Sequence, residues 1–332
     1  MNIHQIYIEK SLIDHPHTRR IIDRFKDKPL VLIEQYQEIF NRKKQDFRLQ
    51  KETPCLIIAK KYGKFIHEIP DDFSIGFDLN FYFSVVLNCP FDCRYCFLQG
   101  MNRSSHYVIF INDEDFKAEI EKTALMNPDK TICFFSGYDS DSLALDSLSN
   151  FAATYLPFFE KFDHLSCEVR TKSIQIRPLL ELKTIKNTLI AYTLNPEEII
   201  KRDEHKTPSL KLRLDAIKKL QDAGYRVGLR FDPMMMIDGC LNIYENFFDQ
   251  VLQELDSKNL HSITIGSFRL PKPVYQNYAK IAAKDFRLAL LDENEKQEFT
   301  YPKPVVSALL ESAFSTISKY VDTKKIYSMQ KP

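Results

Sequence analysis

Three of the chain's cysteines crowd into eight residues: Cys89, Cys93 and Cys96, in the stretch "NCPFDCRYCFLQG". Their spacing is Cys-x3-Cys-x2-Cys, with Tyr95 just before the last thiol and Phe97 just after it. A structural zinc site wants four ligands, usually as two CxxC-type pairs a dozen or more residues apart. No second pair occurs. The nearest histidine downstream, His106, does not stand at a usual zinc spacing. Three thiolates at this spacing can wrap one corner of a [4Fe–4S] cube and ligate three of its irons. The fourth iron is then open, and an open position is what a reaction centre needs. A three-cysteine zinc site completed by a histidine is the alternative.

The other four cysteines read differently. Seven thiols is an odd count, and with no signal peptide in view a disulfide scaffold fits poorly. Cys55, Cys133 and Cys167 sit in apolar strand patterns and are expected in the core. Cys240 follows a strand in "MMMIDGC" and is either a functional thiol on the loop side or simple packing. Met234, Met235 and Met236 are expected to fill core gaps. Arg230 and Asp232 alternate onto one face, where they either meet a ligand or form an ion pair. Arg269 and Lys272 are candidates for phosphate contacts or a solvated basic face. His164, His205 and His261 have no second ligand at a metal spacing.

The elements that must position these residues alternate. Strand patterns occur at 83–88, 131–136, 165–170, 188–193, 226–231 and 261–266, with helical patterns between them. In "TPSLKLRLDAIKKLQDAG" Thr207 reads as N-cap, Pro208 as the first helical residue and Gly224 as the stop. Leu241, Tyr244, Phe248, Val251 and Leu255 form one helical stripe. Six strands, each with a crossover, predict parallel β/α units in a partial (β/α)6 TIM-like barrel. A doubly wound open sheet fits the same pattern. Residues 1–80 read as an N-terminal α/β extension, 81–271 as the barrel, and 272–332 as a mixed C-terminal tail packing on it.

Composition bounds the rest. The 332 residues are 44% hydrophobic, enough for a substantial core. With 46 basic and 45 acidic residues there is no global nucleic-acid footprint, although a local patch remains open. Only eight glycines occur, with neither a P-loop nor a GxGxxG. No apolar run approaches the ~18 residues of a membrane span. The expectation is a soluble, cytoplasmic protein with no membrane partner.

The cysteine array is the signature of the radical S-adenosylmethionine superfamily, whose members bind that cofactor through the open iron. Reductive cleavage of its sulfonium bond releases a 5′-deoxyadenosyl radical. The likeness goes further. "CPFDCRYCFLQGMNRSSHYVIFIN" resembles the cluster loop of the spore photoproduct lyase family. "TPSLKLRLDAIKKLQDAGYRVGLRFDPMM" resembles that family's helix and fifth strand, and "SITIGSFRLPKP" its sixth strand. "IYIEKSLIDHPHTRRIIDRF" and "RLQKETPCLIIAKK" also align, so the resemblance covers nearly the whole chain, most weakly after residue 280. It implies a [4Fe–4S] cluster, S-adenosylmethionine, an electron donor such as flavodoxin or ferredoxin, and reversal of a thymine lesion in DNA.

Residue by residue, the resemblance puts Lys172 on the methionyl carboxylate, and Ser140 and Asp141 near the methionyl group. Thr193 and Asn195 stand where the family has Ser-x-Asn, and Tyr95 matches a tyrosine near the substrate. Three departures stand out. Tyr138 occupies the position of the family's hydrogen-donor cysteine. Phe97 replaces a tyrosine. The basic C-terminal hairpin is reduced to "DENEKQEFTYPKP". A phenol can also donate a hydrogen atom, but the expected outcome is inefficient repair of the family's lesion. A peptide or small-metabolite substrate, and a non-catalytic iron–sulfur protein, are the other readings.

Overall fold

The computed structural model describes residues 3–183, 186–282 and 284–330. Six parallel strands form its centre: β1 Leu79–Phe83, β2 Ile132–Ser136, β3 Leu165–Thr171, β4 Thr188–Thr193, β5 Arg226–Met234 and β6 Ser262–Ser267. They pair in chain order. Ile326–Ser328 adds a parallel strand beside β6, and Ile66–Glu68 an antiparallel one beside β1. The result is an eight-stranded curled sheet, a half-barrel whose two edge strands do not pair with each other.

The strands read as near-continuous apolar runs because both faces are covered. β2, β4 and β6 are buried at every residue. Helices fill the crossovers: Asp113–Met126, Phe151–Phe159, Leu210–Asp222 and Cys240–Glu254. Lys303–Ile317 packs on the last of these and on β6.

A second sheet of five strands lies before and beside the barrel. Its order is Leu30–Ile33, Ile6–Glu9, Leu56–Ala59, Tyr107–Phe110, Val86–Leu87. Two of these strands come from beyond residue 80, and Ile66–Glu68 from before it joins the barrel. The two sheets therefore interleave across that point. The chain just after β1 serves the second sheet: Val86–Leu87 pairs antiparallel with Tyr107–Phe110. The expected strand at 83–88 is thus two pieces, and the first barrel strand ends at Phe83.

The helix expected from Thr207 begins later. Ser209 is its N-cap and accepts from the Leu212 amide at 3.5 Å. Thr207 is drawn off by tertiary contacts. Its hydroxyl donates to the Glu204 carbonyl at 2.7 Å and accepts from Arg213 at 2.7 Å. The hairpin at 292–300 is present but short, Asp292–Glu293 against Glu298–Thr300. Cys133 and Cys167 are fully buried, as are Met234 and Met235. Among the described residues no helix is long and apolar enough to cross a membrane.

Candidate active site

The cysteine loop starts at a strained residue. Asn88 has φ +64°, the left-handed region that asparagine tolerates better than most. Its buried side chain holds the turn. Nδ2 donates to the carbonyls of Ser104 and His106, both at 2.7 Å, and Oδ1 accepts from Asn102 at 2.9 Å. Asp92–Cys93 then pairs antiparallel with Glu204–His205. Leu98–Met101 closes the loop as a helical turn, with the Gln99 amide nitrogen donating to the Cys93 carbonyl at 2.5 Å.

Cys89, Cys93 and Cys96 are free thiols lining one small cavity. Burial pushes Cys89 up to about 12, and raises Cys93 and Cys96 as well. Among the described residues no three histidine, cysteine or carboxylate side chains converge on a point where one metal ion could sit. A zinc ion needs thiolates about 2.3 Å from a single centre. A four-iron cube takes one thiolate per iron, so its ligands stand apart. Three thiols on one loop are the donor type that an iron–sulfur cluster takes. His106 is no candidate ligand: its Nδ1 accepts from the Cys55 amide at 3.2 Å, and burial lowers it to about 4.

The loops after β2 and β3 are tied to this cysteine loop. Gly137 has φ +82°, and a Cβ there would lie 2.6 Å from the Ser142 hydroxyl oxygen and 2.9 Å from the Arg170 carbonyl. Only glycine fits that turn. Ser140 Oγ donates to the Asn88 carbonyl at 2.9 Å. The Asp141 carboxylate accepts four bonds, from the amides of Leu143, Ala144 and Lys172 and from the Thr171 hydroxyl, at 2.6–3.0 Å. It clamps the β2 loop to the end of β3 and so fixes where Lys172 starts. Lys172 Nζ lies 5.7 Å from the centre of the Tyr95 ring. Burial works against its charge, but Cys93 and Glu204 outweigh that and raise it.

Behind Tyr95 lies a buried polar network that no local signal in the sequence marks. The Tyr95 hydroxyl donates to Glu204. Glu204 also accepts from Asn195 Nδ2 at 3.0 Å and from Arg213, and Asn195 Oδ1 accepts from Tyr244 at 3.1 Å. Arg213 Nη1 donates to the Thr193 carbonyl at 3.2 Å. Burial would raise the Glu204 carboxyl, yet Arg213 and Lys172 hold it below the usual range. Asn195 thus spends its amide inside this network, and Thr193 is buried beside it.

Tyr138 stands apart from that network. It is 44% exposed, stacks on Tyr82 and touches the ring of Phe97, 5.4 Å between centroids. Burial and Asp139 both raise its phenol. Arg230 and Asp232 do not pair with each other. Arg230 meets Glu168 at 2.6 Å in the barrel interior, and Asp232 meets Arg269 at 2.8 Å. Arg269 also lies over Phe73, and Lys272 pairs with Glu293 at 2.8 Å, so both basic residues after β6 are engaged. Cys240 is half-buried at the start of its helix. His205 accepts from Arg94 at 2.8 Å, and His261 meets the Ser262 hydroxyl at 3.1 Å.

Known proteins resemble this chain over nearly its whole length. The family model of spore photoproduct lyase matches residues 2–301. Spore photoproduct lyase of Bacillus subtilis (strain 168) is 24% identical over 344 residues, covering 97% of this chain and 96% of its own. That of Geobacillus sp. (strain Y412MC61) is 26% identical over 199 residues, 58% of each chain. A solved double mutant of spore photoproduct lyase with bound AdoMet and dinucleoside spore photoproduct superposes with a TM-score of 0.82 at 18% identity, covering 99% of both chains. The half-barrel with its N-terminal sheet is that fold. The chain belongs to the spore photoproduct lyase family and is a radical S-adenosylmethionine enzyme of the lyase type.

Proposed function

We propose that this enzyme acts on a cross-linked pyrimidine lesion in DNA or a related nucleic-acid component, with Tyr138 as the hydrogen-donating group. Cys89, Cys93 and Cys96 would hold a [4Fe–4S] cluster, and Ser140, Asp141, Lys172, Thr193 and Asn195 would line or shape the S-adenosylmethionine site. When bound, the cluster supplies the electron that cleaves the cofactor's sulfonium bond, drawn from a low-potential donor such as flavodoxin or ferredoxin.

The observation that carries this reading is the fastening of three loops to one another by hydrogen bonds. Asn88 holds the cysteine loop, Ser140 joins it to the β2 loop, and Asp141 joins that loop to Lys172. A bare electron carrier has no use for the last two links. Lys172 brings a cation to the side where a carboxylate would bind. Asp141, with four bonds already accepted, acts by positioning Lys172. Tyr95 is held by Glu204 and keeps its hydroxyl out of solvent. Tyr138 places an exposed phenol beside Phe97.

The test is anaerobic reconstitution with iron and sulfide, followed by reduction in the presence of S-adenosylmethionine. About four irons per chain and 5′-deoxyadenosine formation that vanishes in Cys93→Ala support the proposal. Formation that survives in Cys93→Ala contradicts it.

A further inference from the structure

The cysteine cavity has a wall that the signature does not include. The short helix Phe47–Glu52, capped by Asp46, leans on the cysteine loop from the N-terminal segment. Arg48 Nη1 donates to Asp92 at 2.9 Å and to the Gln99 amide oxygen at 3.0 Å. One turn on, Lys51 is only 7% exposed and lines the same cavity as the three thiols. Its Nζ donates to the Cys89 carbonyl at 2.6 Å and to the Phe91 carbonyl at 3.0 Å. The rings of Phe47 and Tyr107 flank it, with centroids 6.0 Å and 5.8 Å away. Asp92 is engaged by Arg48, and among the described residues Lys51 forms no ion pair within 4.0 Å.

A buried ammonium is costly unless something nearby uses its charge. Two neutral carbonyls and two ring faces satisfy its hydrogens and leave its charge uncancelled. An iron–sulfur cluster on three thiolates is anionic, and it gains a further negative charge on reduction. Its potential follows net charge, hydrogen bonding and exposure. We propose that Lys51 is a positioning residue of the cluster site: it fixes the Cys89–Phe91 backbone, and its buried cation favours the one-electron reduced cluster over the oxidised one. The step is a single electron accepted from an external low-potential reductant, with no proton moved and no bond made. The inference rests on the cluster reading above.

The experiment compares the reconstituted wild type with Lys51→Gln, Lys51→Met and Lys51→Arg. Each is titrated anaerobically with dithionite, and the reduced cluster is read by electron paramagnetic resonance. Glutamine keeps N–H donors for the carbonyls and loses the charge. The expected result is an equilibrium constant for reduction about tenfold smaller in Lys51→Gln, a shift of about 59 mV to lower potential. Iron content should be unchanged, and arginine should restore the potential. Coinciding titrations of wild type and either neutral variant overturn the inference. If neither neutral variant takes up a cluster while Lys51→Arg does, the charge acts on assembly and the claim about reduction is overturned. Failure of all three assigns Lys51 a purely structural part and overturns the electrostatic claim. A wild type that takes up no iron and sulfide defeats the cluster reading itself, which separates the two failures.

Discussion

The ring of Tyr138 lies on that of Tyr82, with centroids 4.3 Å apart and planes 26° apart. Tyr82 also stacks on His67 at 4.9 Å, and Tyr138 also meets Phe97, the residue after Cys96. Aromatic contacts therefore link the cysteine loop to the sheet edge through Phe97, Tyr138, Tyr82 and His67. Burial raises Tyr82 to about 12, so it stays a protonated phenol at neutral pH.

Replacing Tyr138 by phenylalanine keeps these stacks and removes only the O–H. Lesion turnover should fall about tenfold or more, equivalent to at least ~1.4 kcal/mol in the barrier. Cleavage of S-adenosylmethionine should persist. Product and 5′-deoxyadenosine, quantified together by chromatography, check this. Equal lesion turnover in Tyr138→Phe and wild type would remove Tyr138 from the chemistry.

Asp141→Ala should detach the β2 loop from Lys172. The thiols are untouched, so iron uptake should stay near one cluster per chain. Affinity for S-adenosylmethionine should drop by about tenfold, ~1.4 kcal/mol, since a hydrogen bond to a charged group contributes roughly 1.5–3 kcal/mol. Calorimetric titration of the reconstituted protein reads it directly.

Gly137→Ala places a Cβ 2.6 Å from the Ser142 hydroxyl oxygen at a backbone φ of +82°. The cost should be about 1–3 kcal/mol in urea unfolding. The same change should misplace Tyr138 and Ser140, so activity should fall more than the loss of folded protein explains.

Glu168 and Arg230 form a fully buried pair in the barrel. Burial would raise the Glu168 carboxyl, but Arg230 and Arg170 outweigh it and hold it below the usual range. A carboxyl depressed on folding adds stability that is present above its unfolded value. That stability is lost as pH falls through its folded value. Stability should therefore be flat above about pH 5 and decline below about pH 4.3. Arg230→Met leaves Glu168 unpaired by its strongest partner, should cost about 3–5 kcal/mol at neutral pH, and should flatten the acid decline.

What could be read from the sequence follows the range of each interaction. β2 through β6 are apolar runs bounded by polar turns, and their positions were legible to within a residue or two, β5 alone running on to Met234. The three cysteines of the candidate site could be read together because they are neighbours in the chain. The strand at 83–88 misled because apolarity does not say which sheet a residue serves, and Val86–Leu87 serves the second. Thr207 has the chemistry of an N-cap, but Arg213 and the Glu204 carbonyl claim its hydroxyl. Arg230 and Asp232 share a strand face and still take separate partners, Glu168 and Arg269. Lys51 left no sign at all, since it meets Cys89 across 38 residues.

The proposed activity couples S-adenosylmethionine cleavage to repair of a pyrimidine lesion, with the Tyr138 phenol as hydrogen donor. The most direct measurement gives the reconstituted enzyme reductant, S-adenosylmethionine and DNA carrying spore photoproduct, under anaerobic conditions, and follows 5′-deoxyadenosine and lesion loss together. The account predicts that both occur, that lesion loss is slow beside that of a thiol-bearing relative, and that it depends on the Tyr138 hydroxyl. 5′-Deoxyadenosine formation with the lesion untouched would contradict it.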